Sequence, residues 1–185
     1  MLGGPAAARE VLSKLPEFYG RPIRIAFRPA LSVYRGRLVQ SAGQGMPVHA
    51  ASDIRGRRIL LEEELRREAE QLARVLTHEL FHFVWARMSN TDRWSYEAVL
   101  RREIRSGAKG ELGWPAKQKK DRLEPDDAER RTRRWREYVC ESFCDTAAWY
   151  FTGHEHAEHM LRPRFRGRRA EWFRNFGPAG RRIPI

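Results

Sequence analysis

Cysteine is nearly absent: Cys140 and Cys144 are the only two in 185 residues, and they stand one helical turn apart, where splayed Cβ atoms do not suit a disulfide. A disulfide framework is thereby excluded, and a chain of this length can bury a core without one. No apolar run approaches the ~18 residues expected of a membrane helix, and Met1 to Gly20 lacks the basic start and apolar stretch of a secretory signal. These absences lead us to expect a cytoplasmic protein with no transmembrane segment. Internal repeats and domain-splitting linkers are also lacking, which favours one domain over residues 1–185.

Acidic residues are the minority among the charges, 24 against 36 Lys and Arg, giving a net charge of +12 and a pI near 10.6. Arginine supplies most of the excess, notably in Arg130 to Arg136 and Arg162 to Arg182. Such a surface suits a polyanion or an acidic partner, although a merely solvated basic face accounts for it as well. No stretch matches a DNA- or RNA-binding motif, so nucleic-acid-binding residues stay unassigned. With 41% hydrophobic residues the chain carries enough apolar surface to fold.

Ala6 to Leu15 predicts a short helix ended by Pro16. Then IRIAF (Ile23 to Phe27), LSVYR (Leu31 to Arg35), PVHAAS (Pro47 to Ser52) and RRILL (Arg57 to Leu61) read as short strands separated by turn residues. From Glu62 to Arg87 the period becomes helical, with Leu65, Leu72, Leu76, Leu80 and Phe83 on one stripe. Ser89 to Arg134 is a polar insert, read as a helix over part of Asp92 to Ser106 and then a mobile or irregular loop. Helical spacing returns from Asp126 to Tyr150, and the aromatics of Arg162 to Ile185 can dock a final helix.

The strongest predicted helix contains His78-Glu79-Leu80-Phe81-His82, an HExxH motif. Two histidines four residues apart share a helical face and can converge on one Zn²⁺, and the intervening glutamate can serve as general base toward metal-bound water. Independent placement of six histidines and 18 glutamates yields this motif roughly 0.02 times, so chance is a poor account. The metzincin continuation is absent: Trp85 and Met88 stand where glycine and a third histidine would be. A glutamate on a later helix is the remaining common third ligand, and Glu141-Ser142-Phe143-Cys144-Asp145 offers ExxxD there.

In these two segments, HELFH and ESFCD, the chain resembles the gluzincins, the thermolysin-like zinc peptidases. The resemblance implies an α+β, zincin-like fold, in which a small twisted mixed β-sheet packs on the active-site helix and a glutamate-bearing helix closes the cleft beneath. It makes Glu141 the third zinc ligand, with Glu137 as its nearest competitor, and Asp145 the hydrogen-bond partner of a zinc-bound histidine, His78. The spacing departs from that family, since 59 positions separate His82 from Glu141. The implied activity is zinc-dependent hydrolysis of peptide bonds in a peptide or protein substrate, with Glu79 as catalytic base. The alternative is a catalytically silent zincin scaffold acting as a basic nucleic-acid-binding or regulatory module.

His154, His156 and His159 form a second cluster that could supply another third ligand, a second metal site or an oxyanion donor; Tyr138 and Tyr150 are further oxyanion candidates. Cys140 and Cys144 flank Glu141 and read as small buried apolar residues, with thiolate ligation as the alternative. His49 reads as a surface residue in a strand, Val48 to Ser52, that could align extended substrate. The chain thus divides into residues 1–87 with the sheet and active-site helix, 88–134 as a polar insert and candidate lid, and 135–185 with the glutamate helix and basic tail.

Overall fold

Alternation of side chains decides the first sheet. Strands β2 (Arg24–Arg28) and β7 (Arg58–Glu62) run parallel with Ile25 opposite Ile59 and Phe27 opposite Leu61, so four apolar side chains share one buried face. Strand β6 (Ala50–Asp53) pairs antiparallel with β7 and forms one edge, giving a mixed sheet in the order β2-β7-β6. This computed structural model describes residues 6–34, 37–40 (backbone only), 45–153, 161–176 and 182–185.

A second, antiparallel sheet joins β3 (Leu31–Tyr34) to β4 (Arg37–Gln40) on one side and to β5 (Met46–Pro47) on the other. The single strand expected over Pro47 to Ser52 is therefore two: the chain leaves one sheet at Pro47 and enters the other at Ala50. At the crossing, Val48 N–H bonds to Leu31 O and Glu62 N–H to His49 O. Strand β1 (Phe18–Tyr19) pairs with β8 (Ile183–Pro184), a parallel contact between distant segments that the sequence pattern did not announce. Gly20 lies at φ 138°, and a Cβ there would stand 2.3 Å from Ile185 O, so this clasp requires glycine.

Helix α1 (Ala6–Ser13) precedes the strands. After β7 the expected long helix starts as a 3₁₀ turn, Glu63–Arg67, breaks at Glu68, and becomes α2 (Ala69–Arg87), which contains neither glycine nor proline. Leu72, Leu76, Leu80 and Phe83 of α2 are buried in the common core. Helix α3 (Asn90–Arg105) follows at once, its first turn capped by Ser89 Oγ accepting from Asp92 N–H.

The rest of the insert is not the irregular loop expected after Ser106. It forms α4 (Trp114–Lys120) and α5 (Asp127–Arg130), both packed on α6 (Arg133–Thr152). GELGWP was read as a loop signal, but glycine at the N-cap and proline in the first turn are equally a helix start. The helix expected from Asp126 is interrupted where Arg131 turns left-handed at φ 47°; Thr132 then caps α6, and Gly153 ends it at φ 68°. Helix α7 (Pro163–Phe176) docks through Phe173, whose ring stacks on Phe143 at 5.2 Å between centroids. The architecture is mixed α+β, and no helix among the described residues is long and apolar enough to cross a membrane.

Behind α6 lies a buried ionic cluster that composition concealed. Arg169, counted with the basic tail, is fully buried: its guanidinium contacts both oxygens of Glu103 at 2.6–3.1 Å and donates to Glu111 at 2.7 and 3.1 Å. Tyr138 O–H also donates to Glu111, at 2.6 Å, and Lys120 lies 3.2 Å from it. Burial alone would raise the Glu111 carboxyl, but Arg169, Lys120 and Tyr138 outweigh it and hold it at about 2, below its ordinary 4.5.

Replacing Arg169 by Met should leave two buried carboxylates without their fork and destabilise the fold by about 3–5 kcal/mol in urea melts. Because the folded-state value of Glu111 is depressed, its contribution is full above pH 4.5 and drains away as pH falls toward about 2. Wild type should therefore lose stability across that window, and Glu111→Gln should flatten the loss while lowering stability at neutral pH.

Candidate metal centre

Helix periodicity sets the geometry. His78 and His82 stand four residues apart on α2, so their rings face the same way, and their Nε2 atoms lie 3.2 Å apart. From α6, Glu141 brings Oε2 to 3.3 Å from His78 Nε2 and 3.8 Å from His82 Nε2. Ligand atoms at ~2.05 Å from a tetrahedral zinc would be ~3.3 Å from one another. The observed spacings fit that requirement with the Glu141 side slightly open, and the N₂O donor set suits a borderline cation such as zinc.

Both imidazoles are oriented from behind. His78 Nδ1 donates to Asp145 Oδ1 at 2.8 Å, and Asp145 Oδ2 accepts the Ala116 N–H of α4 at 3.0 Å. Gly113 lies directly against this carboxylate; a Cβ there would come within 2.2 Å of its carbon. On the other ring, His82 Nδ1 lies 3.5 Å from Cys140 Sγ. Glu79 sits between the histidines in sequence, and its Oε2 accepts from Ser52 Oγ of edge strand β6 at 2.6 Å.

Three carboxylates converge here, and the titrations follow. Burial lowers the His78 imidazole, but Asp145, Glu141 and Glu79 outweigh it and hold its pKa well above the ordinary value. Burial would raise Glu141, but His78, His82 and Lys119 hold it down. Cys140 is lowered, first by the hydrogen bond from Cys144 and then by His82, whereas burial and its partner push Cys144 well up. An array of this kind is balanced by protons or by a cation.

No family model, curated protein or solved structure matches this chain. The site must speak through its own geometry.

The structure brings His78, Glu79, His82, Glu141 and Asp145 together. Glu137, the competitor for third ligand, instead pairs with Lys119 at 2.7 Å and Arg133 at 2.6 Å. Tyr138 is buried on Glu111, and Tyr150 stacks on Phe173 at 5.6 Å, half a turn around α6 from Glu141. Neither is placed to act as an oxyanion donor. His154, His156 and His159 lie outside the described residues. His49 is exposed, beside a groove of about 740 Å³ that also includes Pro29, Val48 and Arg67.

Ser52, Gly113 and Ala116 escaped sequence reasoning because no motif spacing marks them; only the fold carries them to Glu79 and Asp145. Gly113→Ala should displace the Asp145 carboxylate, which has no free room between His78 and Ala116, and a metal held by His78 would then bind about 10–100-fold more weakly. Zinc competition with a chromophoric chelator measures this, and an unchanged melting temperature would separate it from unfolding.

Proposed function

We propose that this chain is a zinc-dependent hydrolase of gluzincin type that cleaves peptide bonds. The observation that carries the reading is the convergence of His78 Nε2, His82 Nε2 and Glu141 Oε2 at ligand spacing, with a glutamate base on the same helix. His78, His82 and Glu141 would hold the ion, and Asp145 keeps His78 in the tautomer whose Nε2 lone pair faces it. When bound, zinc supplies Lewis acidity and lowers the pKa of a coordinated water toward ~7.

The protein's own part is proton handling and alignment. Glu79 takes the proton of the attacking water and returns it to the departing amine, so one carboxylate serves as base and then acid. Ser52 restrains that carboxylate from the strand side and fixes which oxygen is free to work. Strand β6 is an edge strand beside α2, and its outer side, which pairs with no strand among the described residues, can accept an extended peptide by main-chain hydrogen bonds. An extended backbone so held would run alongside Glu79, which supports a peptide as the substrate class.

Metal analysis of protein purified without chelator should give about one zinc per chain in wild type and much less in His82→Ala and Glu141→Ala. Glu79→Gln should retain the zinc and lose about 10²–10⁴-fold in cleavage of a peptide library. Full turnover by Glu79→Gln would remove Glu79 from the reaction, and a metal-free wild type after zinc reconstitution would sink the hydrolase reading altogether.

A further inference from the structure

Beyond the contact of Cys140 with the back of the His82 ring, Cys140 and Cys144 take no part in the reaction above, yet both stand close to the triad. They stand one turn apart on α6, both as free thiols, on either side of Glu141 in sequence. Cys144 is fully buried and Cys140 half-buried. The ligand atoms of His82, Cys140 and Cys144 all lie within 4.8 Å of one another, and His82 approaches Cys140 through Nδ1 at 3.5 Å. A sulfur at ~2.3 Å and a nitrogen at ~2.05 Å from a tetrahedral ion would stand ~3.5 Å apart. The observed separation meets that spacing.

We propose that His82 Nδ1, Cys140 and Cys144 form a second metal site, selective for soft, thiophilic d¹⁰ cations, whose occupancy switches the zinc site off. Two sulfurs and one imidazole select Cu⁺ or Cd²⁺ over oxygen-seeking cations, whereas the neighbouring N₂O set suits zinc. Binding releases the two thiol protons to solvent and forms two metal–sulfur bonds and one metal–nitrogen bond; nothing is oxidised or reduced.

Antagonism follows from the imidazole. A neutral ring has one lone pair and one N–H. When Nε2 serves the zinc triad, the proton sits on Nδ1 and points at Cys140. When a soft ion takes Nδ1, the proton moves to Nε2 and points at His78 and Glu141, where zinc would be. The switch rests on the zinc reading above; the thiolate site does not.

The test uses the full chain. Metal-free Glu141→Ala, with the zinc triad broken, should bind one Cd²⁺ per chain with an ultraviolet thiolate-to-cadmium charge-transfer band. The band should vanish when Cys140→Ser or Cys144→Ala is added. No band in Glu141→Ala, or a band that survives loss of either cysteine, would overturn the site. In wild type, Cd²⁺ should protect Cys140, the half-buried thiol, from iodoacetamide in intact-mass measurements, a readout that needs no variant; a Cys140 alkylated as fast at saturating Cd²⁺ as without it would also overturn the site.

Zinc-loaded wild type should release its zinc to a chromogenic chelator at a Cd²⁺ concentration at least tenfold lower than the Cys140→Ser/Cys144→Ala variant does. Equal release from both would show cadmium displacing zinc directly and would end the switch. A wild type that never holds zinc would fail the hydrolase reading, while the charge-transfer experiment would still decide the thiolate site.

Discussion

Asp145 uses its two carboxylate oxygens on partners from two other helices: Oδ1 takes the His78 Nδ1 proton and Oδ2 takes the Ala116 N–H. That bridge fixes the rotation of α2 about its axis, and the rest of the centre follows. Once His78 faces α6, the helical repeat places His82 below it and turns Glu79 toward β6. The insert is drawn into the same arrangement, because α4 can reach Asp145 only where Gly113 presents no side chain. Part of the insert read in the sequence as a candidate lid thus braces a histidine from behind.

The centre is a carboxylate-rich cluster inside a strongly cationic protein. Glu79, Glu141 and Asp145 surround two imidazoles, while the whole chain carries +12. The two scales do not conflict. Surface arginines are screened over ~8–10 Å by salt, whereas partly buried carboxylates act on a nearby ion with little screening. A cation would therefore answer to the local carboxylates rather than to the net charge. The same distinction applies to Arg169, which composition assigns to a basic surface and the fold places inside, matched by Glu103 and Glu111.

What the sequence revealed were features with a period or a fixed spacing. Alternation located β2, β3 and β7, and the 3.6-residue stripe located the C-terminal ends of α2 and α6 to within two residues while placing both starts seven residues too early. The HExxH and ExxxD spacings named all five residues that meet at the centre. Features that depend on long-range partners were hidden. The two-residue strands β1 and β8 have no pattern of their own, and α4 and α5 are too short and polar to show one. The contact of Ser52 with Glu79 depends on where one sheet ends and another begins. Arg131 shows the limit most sharply: a single left-handed residue breaks what periodicity read as one helix, and nothing in its side chain advertises it.

The clasp of β1 on β8 separates two quantities that are easily confused. Glu17 and Arg182, which pair beside it, lie 165 positions apart, so these segments must find each other across almost the whole chain. Loop-closure entropy grows only logarithmically, about 0.6 kcal/mol for each doubling of length, so the contact is little harder to keep than a short one. It is slow to find, because search time rises with sequence separation. Phe18, on this clasp, packs edge-on against Phe81, the residue before His82. The helix that bears the histidines is thus covered by a contact that joins segments 165 positions apart, costly to search for and cheap to hold.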